Sequence, residues 1–109
     1  KVQKISCMFC EAEKFNQPLD KWDTSEVREM AWMFAGCTKF NQNIGMWDTS
    51  NVIRMEGMFE GAVCFNQPLN DWDVSNVRYM LRMFDGAKKL QSAARPLERE
   101  PRRRCRTYV

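Results

Sequence analysis

The residues of this chain that could do chemistry are five cysteines, a recurring Asp-x-Ser and several arginines, and there is no histidine. Cys7 and Cys10 form a Cys-x-x-Cys pair, but a closed zinc site wants four ligands and there is no second such pair. Cys10, Cys37 and Cys64 follow one another at a constant interval. Three readings stand for the cysteines: small free residues of a core or turn, one disulfide, or a metal or redox site. Their odd number leaves at least one unpaired. Asp23, Asp48 and Asp73 share one local setting, so either turn N–H groups neutralise each carboxylate or a cation such as calcium bridges them. There is no second set of acidic ligands, which favours turn caps. A serine or cysteine nucleophile has no histidine to serve as its base, and no glycine-rich phosphate loop occurs. The expectation is a chain that is not an enzyme and uses no cofactor.

These residues are positioned by a repeat. Residues 15–39 read FNQPLDKWDTSEVREMAWMFAGCTK, residues 40–64 read FNQNIGMWDTSNVIRMEGMFEGAVC, and residues 65–89 read FNQPLNDWDVSNVRYMLRMFDGAKK. Three in-register copies are not chance, and such a period marks a repeat architecture. Residues 1–14 match the second half of a unit, with Val2 in the slot of Val27 and Met8-Phe9 in that of Met33-Phe34. An array that begins there is expected to expose apolar surface at its first edge.

Within a unit, Phe-Asn-Gln-x-Leu-x-x-Trp reads as extended, with Pro18 and Pro68 forbidding helix. Asp-Thr-Ser reads as a turn whose side chains cap the segment after it. Val27, Met30, Met33 and Phe34 then place apolar groups at i, i+3, i+6 and i+7, which predicts a helix of one or two turns closed by Gly36, Gly61 or Gly86, or a short parallel strand leading into one. The Met8, Met33, Met58, Met83 and Phe9, Phe34, Phe59, Phe84 series read as core, not as a soft-metal site. Asn16, Asn41 and Asn66 predict an asparagine ladder. The expected fold is an α/β repeat solenoid, a leucine-rich-repeat-like right-handed stack with one short strand and one short helix per 25-residue unit, its hand taken from the rule for parallel crossovers.

Charge divides the chain. Residues 1–89 carry 11 Lys and Arg against 12 Asp and Glu, whereas residues 90–109 carry six Arg against two Glu. Residues 90 to about 97 read as a degenerate cap, and the rest, with Arg102, Arg103, Arg104 and Arg106, as a basic, mostly disordered tail. Such a tail could meet nucleic acid or an acidic surface, but no aromatic platform accompanies it beyond Tyr108, and a solvated tail is the preferred reading. No apolar run approaches the length of a membrane span.

WDTSNV, followed by Met, Met-Phe, Gly-Ala and FNQ, resembles the 25-residue repeat of the BspA-type leucine-rich-repeat surface proteins, most closely the branch first described as a repeat of unknown function in mycoplasma lipoproteins. Glu26, Asn43 and Val74 depart from the pattern, and the tail departs altogether. The resemblance implies a leucine-rich-repeat-like fold on a cell-surface or secreted protein, with adhesion to host or matrix proteins in part of the family, and brings no catalytic residues.

Binding should fall where the units differ. Arg28, Ile53 and Arg78 occupy one outward slot, Glu29, Arg54 and Tyr79 the next, and Trp32, Gly57 and Arg82 a third. A face of Arg28, Trp32, Ile53, Arg54, Arg78, Tyr79 and Arg82 has the composition favoured at interfaces. The expected partner is a protein or glycan on another surface, with a ligand-free spacer as the alternative and no small-molecule substrate.

Overall fold

The computed structural model describes residues 2–96, and its local geometry follows from where successive backbone N–H groups go. In the first unit the N–H groups of Met8, Cys10 and Ala12 close back on the carbonyls of Ile5, Cys7 and Phe9, three residues earlier, at 3.0 to 3.3 Å. The N–H groups between them leave the unit: Ile5, Cys7, Phe9 and Glu11 donate to the carbonyls of Glu29, Ala31, Met33 and Ala35 at 2.7 to 3.1 Å. The same four-bond row joins Met30, Trp32, Phe34 and Gly36 to Arg54, Glu56, Met58 and Glu60, and then Met55, Gly57, Phe59 and Gly61 to Tyr79, Leu81, Met83 and Asp85. Traffic in the other direction runs through one shared carbonyl per unit, with Lys39 also donating to Glu13 O at 3.3 Å. Arg28 and Glu29 donate to Gln3, Ile53 and Arg54 to Arg28, and Arg78 and Tyr79 to Ile53.

This division of donors overturns the expected α/β solenoid. Among the described residues the helix content is one 3-10 turn, Ser92–Ala94, and the strand content is the isolated parallel bridges Lys4 to Glu29, Glu29 to Arg54 and Arg54 to Tyr79. A helix would need i to i−4 bonds, yet half the N–H groups here close i to i−3 turns and half cross to the next unit. A strand would need a run of extended residues, yet the chain turns through positive φ at Cys7, Trp32, Gly57 and Arg82 (59° to 64°), and again four residues later. The apolar spacing of three that suggested a helix is the spacing of these turns. The product is compact: its radius of gyration of 12.4 Å is what a domain of this size has by the scaling of about 2.2·N^0.38 Å.

The core lies inside the rows. Met30, Met33, Met55, Met58, Met80 and Met83 are fully buried, as are Phe34, Phe40, Phe59 and Phe65. Phe9, Phe34, Phe59 and Phe84 stack ring on ring at 5.6 to 5.9 Å, and Phe15, Phe40 and Phe65 do so at 5.7 Å. Trp47 and Trp72 are buried with their polar atom satisfied: Trp47 Nε1 donates to Leu19 O and Trp72 Nε1 to Ile44 O, each at 3.0 Å. Thr24 and Thr49 are buried with their hydroxyls donating to Asp48 O and Asp73 O.

The two ends of the array differ. At the first edge Val2, Met8 and Trp22 are 63, 48 and 38% exposed. At the other end Val77, Met80, Met83, Phe84 and Leu90 are buried, Leu69 N–H donates to Ala94 O at 2.6 Å, and the Arg95 guanidinium lies over the Phe84 ring at 4.8 Å. The disordered basic tail expected from residue 98 onward lies outside the described residues.

Candidate functional site

The side of the molecule that varies between units is built on the one-carbonyl exchange. The backbone N–H of Ile53 donates to Arg28 O, and that of Arg78 donates to Ile53 O, so Arg28, Ile53 and Arg78 sit one beside the next. The following row, Lys4, Glu29, Arg54 and Tyr79, is the row of parallel bridges. Neighbours there are one ladder spacing apart, which puts side chains of adjacent units within reach of one another.

Arg54 is the centre of this side. Its guanidinium makes a 2.7 Å ion pair with Glu56 Oε2 and lies 4.2 Å from the centroid of the Tyr79 ring, a cation over an aromatic face. The Arg54 side chain is still 42% exposed. Glu56 Oε1 is buried without a hydrogen-bond partner. Farther along, Arg82 pairs with Glu60 at 3.6 Å, and the Trp32 ring lies across the α-carbon of Gly57. The structure therefore gathers Arg54 and Tyr79 into one cluster around Glu56, seats Trp32 on Gly57, and sets Arg82 against Glu60. Arg28 and Arg78 stand exposed in the adjoining row, with Ile53 half-buried between them. Sequence reasoning missed Glu56 and Glu60. The available signal was that Glu56 lies two residues from Arg54, and that Glu60 and Arg82 fall in neighbouring units. It also missed Leu81, which is 54% exposed beside Arg82.

The aspartates are turn caps. Oδ1 of Asp23, Asp48 and Asp73 accepts the backbone N–H and the hydroxyl of Ser25, Ser50 and Ser75 respectively, at 3.0 Å and 2.6 to 2.7 Å. The Ser50 hydroxyl and then its N–H hold the Asp48 carboxyl below its usual range, against the repulsion of Asp73 and Asp23. Among the described residues no three acidic or cysteine side chains converge as a metal ion would require.

The asparagine row bonds differently from a chain of amides. Asn16 Oδ1 accepts the backbone N–H of Asn41 and the side-chain amide of Gln42, and Asn41 Oδ1 does the same for Asn66 and Gln67. Of the cysteines, Cys7 and Cys10 are joined as a disulfide across one turn. Cys37 and Cys64 are free, and the buried Cys37 thiol donates to Phe9 O at 2.9 Å. Cys105 lies outside the described residues.

Among the described residues no helix is long and apolar enough to cross a membrane. No curated protein and no solved structure matches the chain. A family model does: it matches residues 1–96, which hold every repeat and every residue of the variable side, and the chain belongs to that family, described as "Mycoplasma protein of unknown function, DUF285".

Proposed function

We propose that this chain is a non-enzymatic binding module of a cell-surface or secreted protein of the BspA-type branch, and that it recognises a protein through Arg28, Trp32, Ile53, Arg54, Arg78, Tyr79 and Arg82. The observation that carries the reading is the state of Arg54. Its guanidinium is already clamped between Glu56 and the Tyr79 ring yet keeps much of its surface open. A side chain held in place before binding loses less entropy on binding, and arginine with aromatic neighbours is the composition of interface hot spots. The Cys7–Cys10 disulfide supports the extracellular placement, because such bonds persist in oxidising compartments. No residue of the chain is given a catalytic role.

The test is a binding screen of the whole chain against immobilised matrix proteins and glycans at two salt concentrations. Saturable protein binding weakened about tenfold or more by Arg54→Ala or Tyr79→Ala, the size of a hot-spot loss of about 2 kcal/mol, is the expected result. Lys88→Ala, at an exposed position off this side, serves as the control. Binding that ignores both substitutions would overturn the assignment of this side. Binding confined to glycans, or to nucleic acid with a steep salt dependence that vanishes without residues 98–109, would overturn the protein-partner reading itself.

A further inference from the structure

Arg28, Ile53 and Arg78 fill one slot in three successive units and are tied together through the backbone, with Ile53 N–H donating to Arg28 O at 2.8 Å and Arg78 N–H to Ile53 O at 2.9 Å. The slot beside it is the row of parallel bridges. Each unit therefore advances by one ladder spacing, and Arg28 and Arg78 stand two spacings apart, about 9.5 Å. Ile53 lies half-buried between these two exposed arginines. Other cations of this side already have a carboxylate: Arg54 is bound to Glu56 at 2.7 Å, and Arg82 faces Glu60 at 3.6 Å. Among the described residues the side chains of Arg28 and Arg78 make no hydrogen bond, ion pair or ring contact, and neither Glu26 nor Glu29 closes on Arg28.

Two unneutralised guanidiniums with an apolar residue between them are complementary to two carboxylates at the same interval, and the interval selects the backbone that carries them. In a polyproline II segment, with three residues per turn and a rise of 3.1 Å, residues i and i+3 share a face about 9.3 Å apart. A β-strand puts residues of one face about 6.6 Å and then about 13 Å apart, on either side of the required distance. A helix brings i and i+7 about 10.5 Å apart. Docking a helix, however, takes an apolar groove, and this side offers a half-buried Ile53 and, at its end, Leu81. Tyr79 lies next to Arg78 with its ring held against the Arg54 guanidinium, and aromatic side chains are the surface on which polyproline II segments dock.

We propose that the protein partner presents an acidic polyproline II segment to this side, with two carboxylates three residues apart, one held by Arg28 and the other by Arg78 across Ile53. Each arginine takes its carboxylate through the paired N–H groups of the guanidinium. This names the chemistry of the partner and rests on the protein-binding reading of the same side.

The test titrates the full chain into a fluorescent peptide of four Pro-Pro-Glu triplets and reads anisotropy. Beside it run a peptide of the same composition with its glutamates at every second position, a helix-forming peptide with glutamates seven residues apart, and a Pro-Pro-Lys counterpart. The expected result is tightest binding of the Pro-Pro-Glu peptide, weakened about threefold or more by Arg28→Ala and by Arg78→Ala, the range of an exposed charge pair. Arg28→Glu/Arg78→Glu should reverse the preference toward the Pro-Pro-Lys peptide, a gain that an unfolded variant would not show. No binding of the Pro-Pro-Glu peptide, equal binding of the alternately spaced one, or tightest binding of the helical one overturns the proposal. If the peptide fails while a protein partner still loses affinity on Arg54→Ala, the binding side stands and its acidic polyproline partner falls. Peptide binding that needs Arg28 and Arg78, beside a protein screen indifferent to Arg54 and Tyr79, upholds this pair and sinks the wider side.

Discussion

The ring of Trp32 lies across the α-carbon of Gly57, so that a β-carbon there would overlap Cε3 and Cζ3 of the indole. Gly57 also has a φ of +62°, but its row-mates Cys7, Trp32 and Arg82 adopt nearly the same angle with side chains attached. The backbone angle alone therefore does not demand glycine, and the tryptophan does. Gly57→Ala should cost about 1 to 2 kcal/mol for the left-handed angle and more for displacing the ring, lowering the melting temperature by about 4 to 8 °C per kcal/mol. In a Trp32→Ala background the same substitution should cost only the first part. A double-mutant cycle by denaturant unfolding checks this, and additive effects would show that the ring is not the reason for the glycine.

Trp47 and Trp22 occupy one slot in successive units, but only Trp47 has an indole N–H bonded inside the protein, to Leu19 O. Trp47→Phe removes this buried bond, leaving Leu19 O with only the Trp22 N–H at 3.2 Å, and should destabilise the fold by about 0.5 to 1.5 kcal/mol. Trp22→Phe, at a site 38% exposed whose indole nitrogen donates to nothing among the described residues, should cost far less. Equal losses in urea unfolding would mean that ring size, and not the hydrogen bond, sets the cost.

What the sequence made legible was the period and what the period dictates: the buried Met33, Met58, Met83 and Phe34, Phe59, Phe84 rows, the Asp-x-Ser turns, and the adjacency of Arg54 and Tyr79; Met8, expected in the same core row, is instead 48% exposed at the first edge, and Phe9 is only partly buried. Local conformation was not legible. A spacing of three between Val27, Met30 and Met33 is shared by one face of a helix and by successive three-residue turns, and the choice is made by the neighbouring unit, whose carbonyls take every second N–H. The positive φ at Trp32 and Arg82 is likewise a product of the ladder, against the preference of those residues. In the candidate site, Glu56 and Glu60 escaped because they pair across two residues and across one unit, respectively. The interval between Cys10, Cys37 and Cys64 exceeds the repeat period by two, which moves each to a different row; Cys37 consequently meets Phe9 O instead of a thiol.

Burial raises the Cys37 thiol to about 11, against the lowering effect of the backbone at Ala12. The folded state therefore holds this proton more tightly than the unfolded chain does. The stability this contributes is full below the ordinary thiol value of 9.0 and is lost as pH rises from there to about 11. Alkylation at pH 8 should label Cys64, which is half-buried, well before Cys37. Peptide mapping after a timed iodoacetamide pulse reads the order directly, and labelling of Cys37 at the rate of Cys64 would contradict it.

Reduction separates the disulfide from the turn it spans. The Cys10 to Cys7 turn bond is repeated without sulfur by Ala35 to Trp32, Glu60 to Gly57 and Asp85 to Arg82, so the turn is made by the fold and the disulfide only clasps it. Cys7→Ser/Cys10→Ser should keep the native circular dichroism spectrum while hydrogen exchange quickens in residues 2–14 alone. Faster exchange spread across residues 40–90 would show that the bond supports the whole fold.

At the Asp-x-Ser turns the sign runs opposite to the thiol. The Ser50 hydroxyl and N–H favour ionised Asp48, so its stabilisation is present above the ordinary carboxyl value of 3.8 and fades as pH falls below it. Asp48→Asn and Ser50→Ala should each flatten the acid limb of the melting-temperature profile, Asp48→Asn the more, because the asparagine can still accept from Ser50 but no longer titrates. Calcium should leave the melting temperature of the wild-type chain where it is, since each Oδ1 is already engaged by a serine. A calcium-dependent rise that Asp48→Asn removes would instead make the aspartate row a cation site and overturn the turn-cap account.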